Sequence, residues 1–165
     1  GYIASTLSHD EVWDMWCIGR DLECADMTTR ILDAGTYVLS THDDREKAHV
    51  PLIIWGNVLR SSGADHAYRR NVAASVGGTK VANFLIFDPH FPRSVHYCVS
   101  SIESAVNRLP KSRKIITSIK ALGIKQKTPV KFTELDEQLS SYCNDLQLKF
   151  GDLHSIFAEN WFSVK

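Results

Sequence analysis

The chain has 165 residues, 19 Lys+Arg against 19 Asp+Glu, and 44% hydrophobic residues, a composition that supports a sizeable core and excludes an intrinsically disordered chain. Its formal net charge of +0 leaves no basic excess for a nucleic-acid partner and no basic block for a membrane surface. Cys17, Cys24, Cys98 and Cys143 have neither zinc spacing nor a disulfide framework, so free thiols in a reducing cytoplasm are expected.

No apolar run approaches the ~18 residues that span a bilayer. Gly1 to Leu7 holds no basic segment and no long apolar stretch, so no signal peptide is read there. Without an initiator Met, the chain is expected to be a processed product or part of something longer. Ser8-His9-Asp10-Glu11 has the form of a capping box and opens a helix over 8–39. Ser40 to Lys47 is polar and charged and forms a loop. Pro51 suits the first turn of a second helix that Gly63 ends. Residues 64–74 make a third helix, carrying Tyr68-Arg69-Arg70. After the Gly77-Gly78 break, Thr79 caps a short helix from Val81 to Phe87, and Asp88-Pro89 stops it. Pro92 sits at the first position of a helix over 92–109. Lys111 to Leu122 follows, closed by Gly123. The last helix covers 133–161, opening at Thr133 with Glu134, Asp136 and Glu137 against the positive end of its dipole. Alternating strand patterns and hairpin turns are missing, so the fold class is all-α: one helical bundle over 1–165, with two long helices and shorter connecting ones.

Chemistry concentrates on the first helix. Trp13, Trp16, Arg20, Glu23, Met27, Arg30 and Ala34 share one stripe about 100° wide, and the aromatic residues on it predict a face turned toward protein. Charges there require partners, and Arg20 with Glu23 is the pair within reach along the helix. Two readings carry equal weight: a polar network that fixes packing, or a charged pocket in the bundle core for a carboxylate, amine or phosphate. Asp26 and Asp33 lie off the stripe and are expected in solvent. Of Tyr68, Arg69 and Arg70, consecutive on a helix, at most one arginine faces the core. The corner Asp88-Pro89-His90-Phe91-Pro92-Arg93-Ser94 feeds a helix N-terminus, where Arg93 and Ser94 add donors for an anion; the equally weighted alternative is a plain corner plugged by Phe91. The candidate pocket is therefore Arg20, Glu23, Arg30, Tyr68, Arg69, Arg70 and Arg93. No metal and no cofactor are expected: H-E-x-x-H, a pair of Glu-x-x-His motifs, the phosphate loop, G-x-G-x-x-G and G-x-S-x-G are all missing.

These segments together resemble the bacterial alpha-E domain family. The likeness runs through Leu7-Ser8-His9-Asp10-Glu11, then Ile18-Gly19-Arg20-Asp21-Leu22-Glu23-Cys24-Ala25-Asp26-Met27-Thr28-Thr29-Arg30-Ile31-Leu32-Asp33. It continues through Ala67-Tyr68-Arg69-Arg70, Asn83 to Val95, and Leu153-His154 to Trp161-Phe162. The chain is similar to the C-terminal half of longer members. Cys24 stands where the family's L-E-R-A motif commonly has arginine. The resemblance implies a helical domain found beside circularly permuted ATP-grasp ligases and transglutaminase-like peptidases, in a pathway that makes or modifies peptide-like amides. It implies no catalytic residue. Two functions follow as expectations: an accessory module that docks such a ligase, or an enzyme or substrate-binding subunit built on the charged pocket. A half-length bundle is also expected to leave an apolar patch and to self-associate.

Overall fold

The computed structural model describes residues 5–43, 47, 49–72, 75–125 and 135–162. Among the described residues, seven α-helices of eight residues or more follow one another: α1 (Glu11–Thr41), α2 (His49–Ser61), α3 (Asp65–Val72), α4 (Gly78–Phe87), α5 (Val95–Arg108), α6 (Arg113–Ala121) and α7 (Leu135–Phe157), with a π-helical turn at Ala158–Phe162. No strand occurs among the described residues, and no helix there is long and apolar enough to cross a membrane.

Helix α1 is the spine. It packs most extensively on α5 and α7 and also touches α2 and α4. It begins at Glu11 rather than Ser8, because Asp10 is the cap: its Oδ1 accepts from the N–H groups of Val12 at 3.0 Å and Trp13 at 3.3 Å. A carboxylate satisfies free N–H groups and the helix dipole together, which a serine hydroxyl does less well. The seam of α1 that meets the bundle is Asp14, Cys17, Ile18, Asp21, Leu22, Ala25, Thr28, Thr29, Leu32, Gly35, Thr36 and Leu39. This is not the stripe that aromatic residues mark. Arg20, Glu23, Met27, Arg30 and Ala34 are exposed. Trp13 and Trp16 are half-buried, with His9 stacked on Trp13 and Trp13 on Trp16 at 4.1 and 4.9 Å between ring centroids. The two tryptophans do pack against the edge of the core, but the charged part of the stripe beyond them does not.

Helix α2 ends in a Schellman turn. Gly63 takes φ +61, its N–H reaches the Arg60 carbonyl at 2.9 Å, and Ala64 N–H reaches Leu59 at 2.7 Å. Helix α3 is shorter than 64–74, whose last two residues lie outside the described ones. Helix α4 starts at Gly78 after Gly77, so Thr79 lies inside its first turn and not at its cap.

At the 88–94 corner, Asp88 Oδ1 accepts from His90 N–H at 2.8 Å and Phe91 N–H at 2.7 Å, and Ser94 Oγ donates to the Asp88 carbonyl. Ser94 Oγ also accepts from Tyr97 N–H at 3.0 Å and caps α5, so this helix starts at Val95 and Pro92 stands before it. Phe91 is the buried plug, stacked on Phe84, which meets Tyr68 edge-on. The α7 opening expected at Thr133 and Glu134, and the Asp136 side chain, lie outside the described residues. The far end is pinned where Trp161 Nε1 donates to the Pro110 carbonyl at 3.0 Å.

Candidate binding cavity beside the first helix

A cavity of about 510 Å³ opens where α1 faces the end of α2 and the 88–94 corner. Its wall includes Arg20, Glu23, Cys24 and Met27 from α1, Ser62 from the turn after α2, and Arg93 from the corner. Three local features assemble it. The Schellman turn places Ser62 and Gly63 against the corner, and with no Cβ on Gly63, Arg93 Nη1 lies 3.6 Å from where one would stand. Thr28 Oγ1 donates to the Arg93 carbonyl at 2.8 Å, fastening the corner to the seam. Arg20 lies over the Trp16 ring at 4.7 Å.

The charges are unevenly paired. Arg20 makes a two-toothed bridge to Asp21, Nε–Oδ1 at 2.6 Å and Nη2–Oδ2 at 2.9 Å, and not to Glu23. Asp21 is 3% exposed, so this bridge satisfies a carboxylate that could not stay charged alone. Glu23 and Arg93 form no ion pair with any described residue. Ser62, 1% exposed, has a hydroxyl with no hydrogen-bond partner in the structure.

The other expected pocket residues separate. Arg30 pairs with Asp26 across one helical turn at 2.7 Å, so Asp26 is a partner and not a solvated acid. Arg30 lines a neighbouring groove with Glu23, Gln147 and His154. Asp33 likewise accepts from Ser140 Oγ of α7 at 2.6 Å. Tyr68 is fully buried and donates to the Ser75 carbonyl; Arg69 pairs with Asp65, and Arg70 is exposed. The structure thus brings together Arg20, Glu23 and Arg93, and leaves Tyr68, Arg69 and Arg70 elsewhere. Ser94 is occupied as a cap. No group of three or more His, Cys, Asp or Glu side chains that could hold a metal occurs among the described residues.

The expected pocket left out Cys24, which the sequence marks only as a departure from the family motif, and Ser62; the α1–α5 bridge of Asp14 to Arg108 was not expected either. The Cys24 thiol is half-buried on the cavity wall, and Cys98 of α5 is buried, its Sγ donating to the Pro92 carbonyl at 3.5 Å. The influence of Cys98, then the Arg93 and Arg20 guanidiniums, brings Cys24 down to about 7 against the opposing pull of burial and Asp21. The influence of Cys24 and burial push Cys98 up. Burial also pushes up Cys17, and Cys143 to about 12.

The family model Alpha-E, described as a predicted alpha-helical domain with a conserved ER motif, matches residues 1–162. The chain belongs to the Alpha-E family. No curated protein and no solved structure matches it. This Alpha-E chain contains no Glu-Arg dipeptide anywhere. Glu23-Cys24, in the segment that resembles L-E-R-A, puts a thiol on the cavity wall.

Proposed function

We propose that this Alpha-E domain is a substrate-binding accessory component of a pathway that makes or modifies peptide-like amides. It holds an amino acid or short peptide beside α1 for a partner, an ATP-grasp-type amide ligase or a transglutaminase-like peptidase, in the cytoplasm. One observation carries the reading: Glu23 and Arg93, of opposite charge and each without an ion-pair partner among the described residues, line the same cavity. A guanidinium suits a carboxylate, and a carboxylate suits an ammonium. The cavity lies within the usual size range of small-ligand sites.

The docking half of the proposal is supported by apolar side chains left on the surface. Tyr37 and Val38 late in α1, and Leu52 and Ile53 early in α2, are exposed and offer a surface for the ligase, the peptidase or a second copy.

Thermal unfolding with amino acids, short acidic peptides, ATP and a co-expressed ATP-grasp protein tests this. A ligand at a hundred times its Kd adds about 2.7 kcal/mol. Arg93→Gln or Glu23→Gln should weaken amino-acid binding roughly tenfold to a hundredfold, the loss of one charge-assisted hydrogen bond of about 1.5–3 kcal/mol. Stabilisation by the protein partner alone, with every small molecule silent, would leave docking as the function and remove the binding role. Silence from both would refute the proposal.

A further inference from the structure

We propose that the ligand is an α-amino acid whose long, neutral side chain ends in an amide, as in glutamine, and that this side chain lies in a second groove between α1 and α7. The assignment rests on the binding role given above to Glu23 and Arg93, and names the substrate class of that site. The groove measures about 520 Å³, and its wall includes Gly19, Leu22 and Glu23 of α1 with Gln147, Phe150 and Gly151 of α7. Glu23 lines the cavity and the groove alike. At about 100° per residue, Arg20, Cys24 and Met27 fall on one side of Glu23 around the helix, and Gly19, Leu22 and Asp26 on the other. The unpaired carboxylate therefore stands on the ridge where the two spaces meet.

Gln147 gives the groove its selectivity. Its Nε2 is buried and has no hydrogen-bond partner in the structure, so the wall holds a donor that calls for an acceptor. Leu22 and Phe150, both buried, make an apolar floor for methylene groups. Gly19 and Gly151 have nothing within 4 Å of where a Cβ would stand, so no neighbour in the chain requires a glycine at either place. Glycine weakens a helix interior relative to alanine, and what these two share is the groove, which a side chain at either would narrow. Gly19 precedes Glu23 by about one turn and keeps the ridge open beside the carboxylate.

The cavity fixes the other end of the ligand. Ser62 Oγ, in a residue 1% exposed, is unpartnered and lines the cavity with Arg93, whose Nη1 lies 3.6 Å from where a Cβ on the adjacent Gly63 would stand. A hydroxyl and a guanidinium side by side suit the two oxygens of a carboxylate. With the α-carboxylate there and the ammonium on Glu23, the side chain is left to cross the ridge. The groove is centred about 60° around α1 from Glu23, or about 5 Å on a helix of about 5 Å radius. A glutamine carbonyl oxygen, four bonds from its α-carbon, reaches about that far. Charge favours the amide over a second carboxylate, because Glu23 and Asp26 stand on the groove wall against Arg30, which Asp26 already holds at 2.7 Å.

Isothermal titration calorimetry with glutamine, glutamate, norleucine and alanine tests the assignment. Glutamine should bind about tenfold tighter than norleucine, which has a similar length and no carbonyl, and tighter than glutamate. Gln147→Leu should erase the difference between glutamine and norleucine. Gly19→Leu, which fills the groove, should bring glutamine down to the affinity of alanine while alanine binds as before. Ser62→Ala should weaken all four by a common factor of about three to ten. Equal affinities for glutamine, norleucine and alanine on the unmodified chain would overturn the side-chain assignment and leave the binding role of the cavity standing. Glutamate binding as tightly as glutamine would overturn the selection of an amide. A glutamine preference that survives both Gln147→Leu and Gly19→Leu would overturn the groove as its seat. Silence from all four amino acids would remove the binding role, and this inference with it.

Discussion

Asp14 and Arg108 show what one charge does on the seam of α1. Asp14 is 5% exposed and receives Arg108 Nε at 3.0 Å on both oxygens and Nη2 at 2.5 Å on Oδ1, joining α1 to the end of α5. The arginine side chain is 57% exposed, so water can serve the guanidinium when it is alone but not the carboxylate. Arg108→Met should therefore cost more than Asp14→Asn, about 2–3 against about 1 kcal/mol, in urea melts. Equal costs would mean that the pair is solvated as a surface bridge. Neither residue stands out in the sequence, because an isolated acid in a helix reads as solvent-facing until its long-range partner is known. Arg93 was legible, since its place beside Pro92 sets it on a corner whatever the helices do. The place of Cys24 on the same cavity wall was not, because no periodicity relates a helix to a corner that is distant in the chain.

Helix boundaries depend on local chemistry, and most of them were readable for that reason. Pro51, Gly63, Asp88-Pro89 and Gly123 mark a helix start or end within a residue or two of where it falls. The first cap and the start of α5 moved because Asp10 and Ser94, stronger or better placed acceptors, took the free N–H groups. The facing of α1 was not readable, for a different cause. Every seventh residue of its buried seam is polar or lacks a side chain: Asp14, Asp21, Thr28 and Gly35. Each is satisfied or required by a neighbour rather than by hydrophobicity. Asp14 and Asp21 are held by arginines, Thr28 by the corner, and Gly35 by α2, since a Cβ there would collide with Val58 Cγ2. Two glycines of one helix then give opposite predictions. Gly35→Ala should destabilise by about 1–3 kcal/mol through overpacking. Gly19→Ala, where nothing lies within 4 Å of the new methyl, should stabilise by about 0.5–1 kcal/mol. Thermal melts of the two variants check both signs.

Across the whole molecule, the fold and the cavity have the same origin. A long helix whose seam is half polar must recruit partners from several elements, and that recruitment draws the α2 turn and the 88–94 corner over its outer flank. The cavity is the space left between the three. Its open side carries Met27, 50% exposed, while the other methionine, Met15, packs against the core and is no part of that wall. The two methyl groups are thus a probe and its internal control. Methyl-labelled methionine NMR during titration with an amino acid is the most direct measurement of the central claim. Amino-acid binding in the cavity predicts a saturable shift of the Met27 methyl, absent for the same amino acid blocked at both ends, with Met15 unmoved. A Met27 resonance that stays in place at saturating amino acid would contradict it.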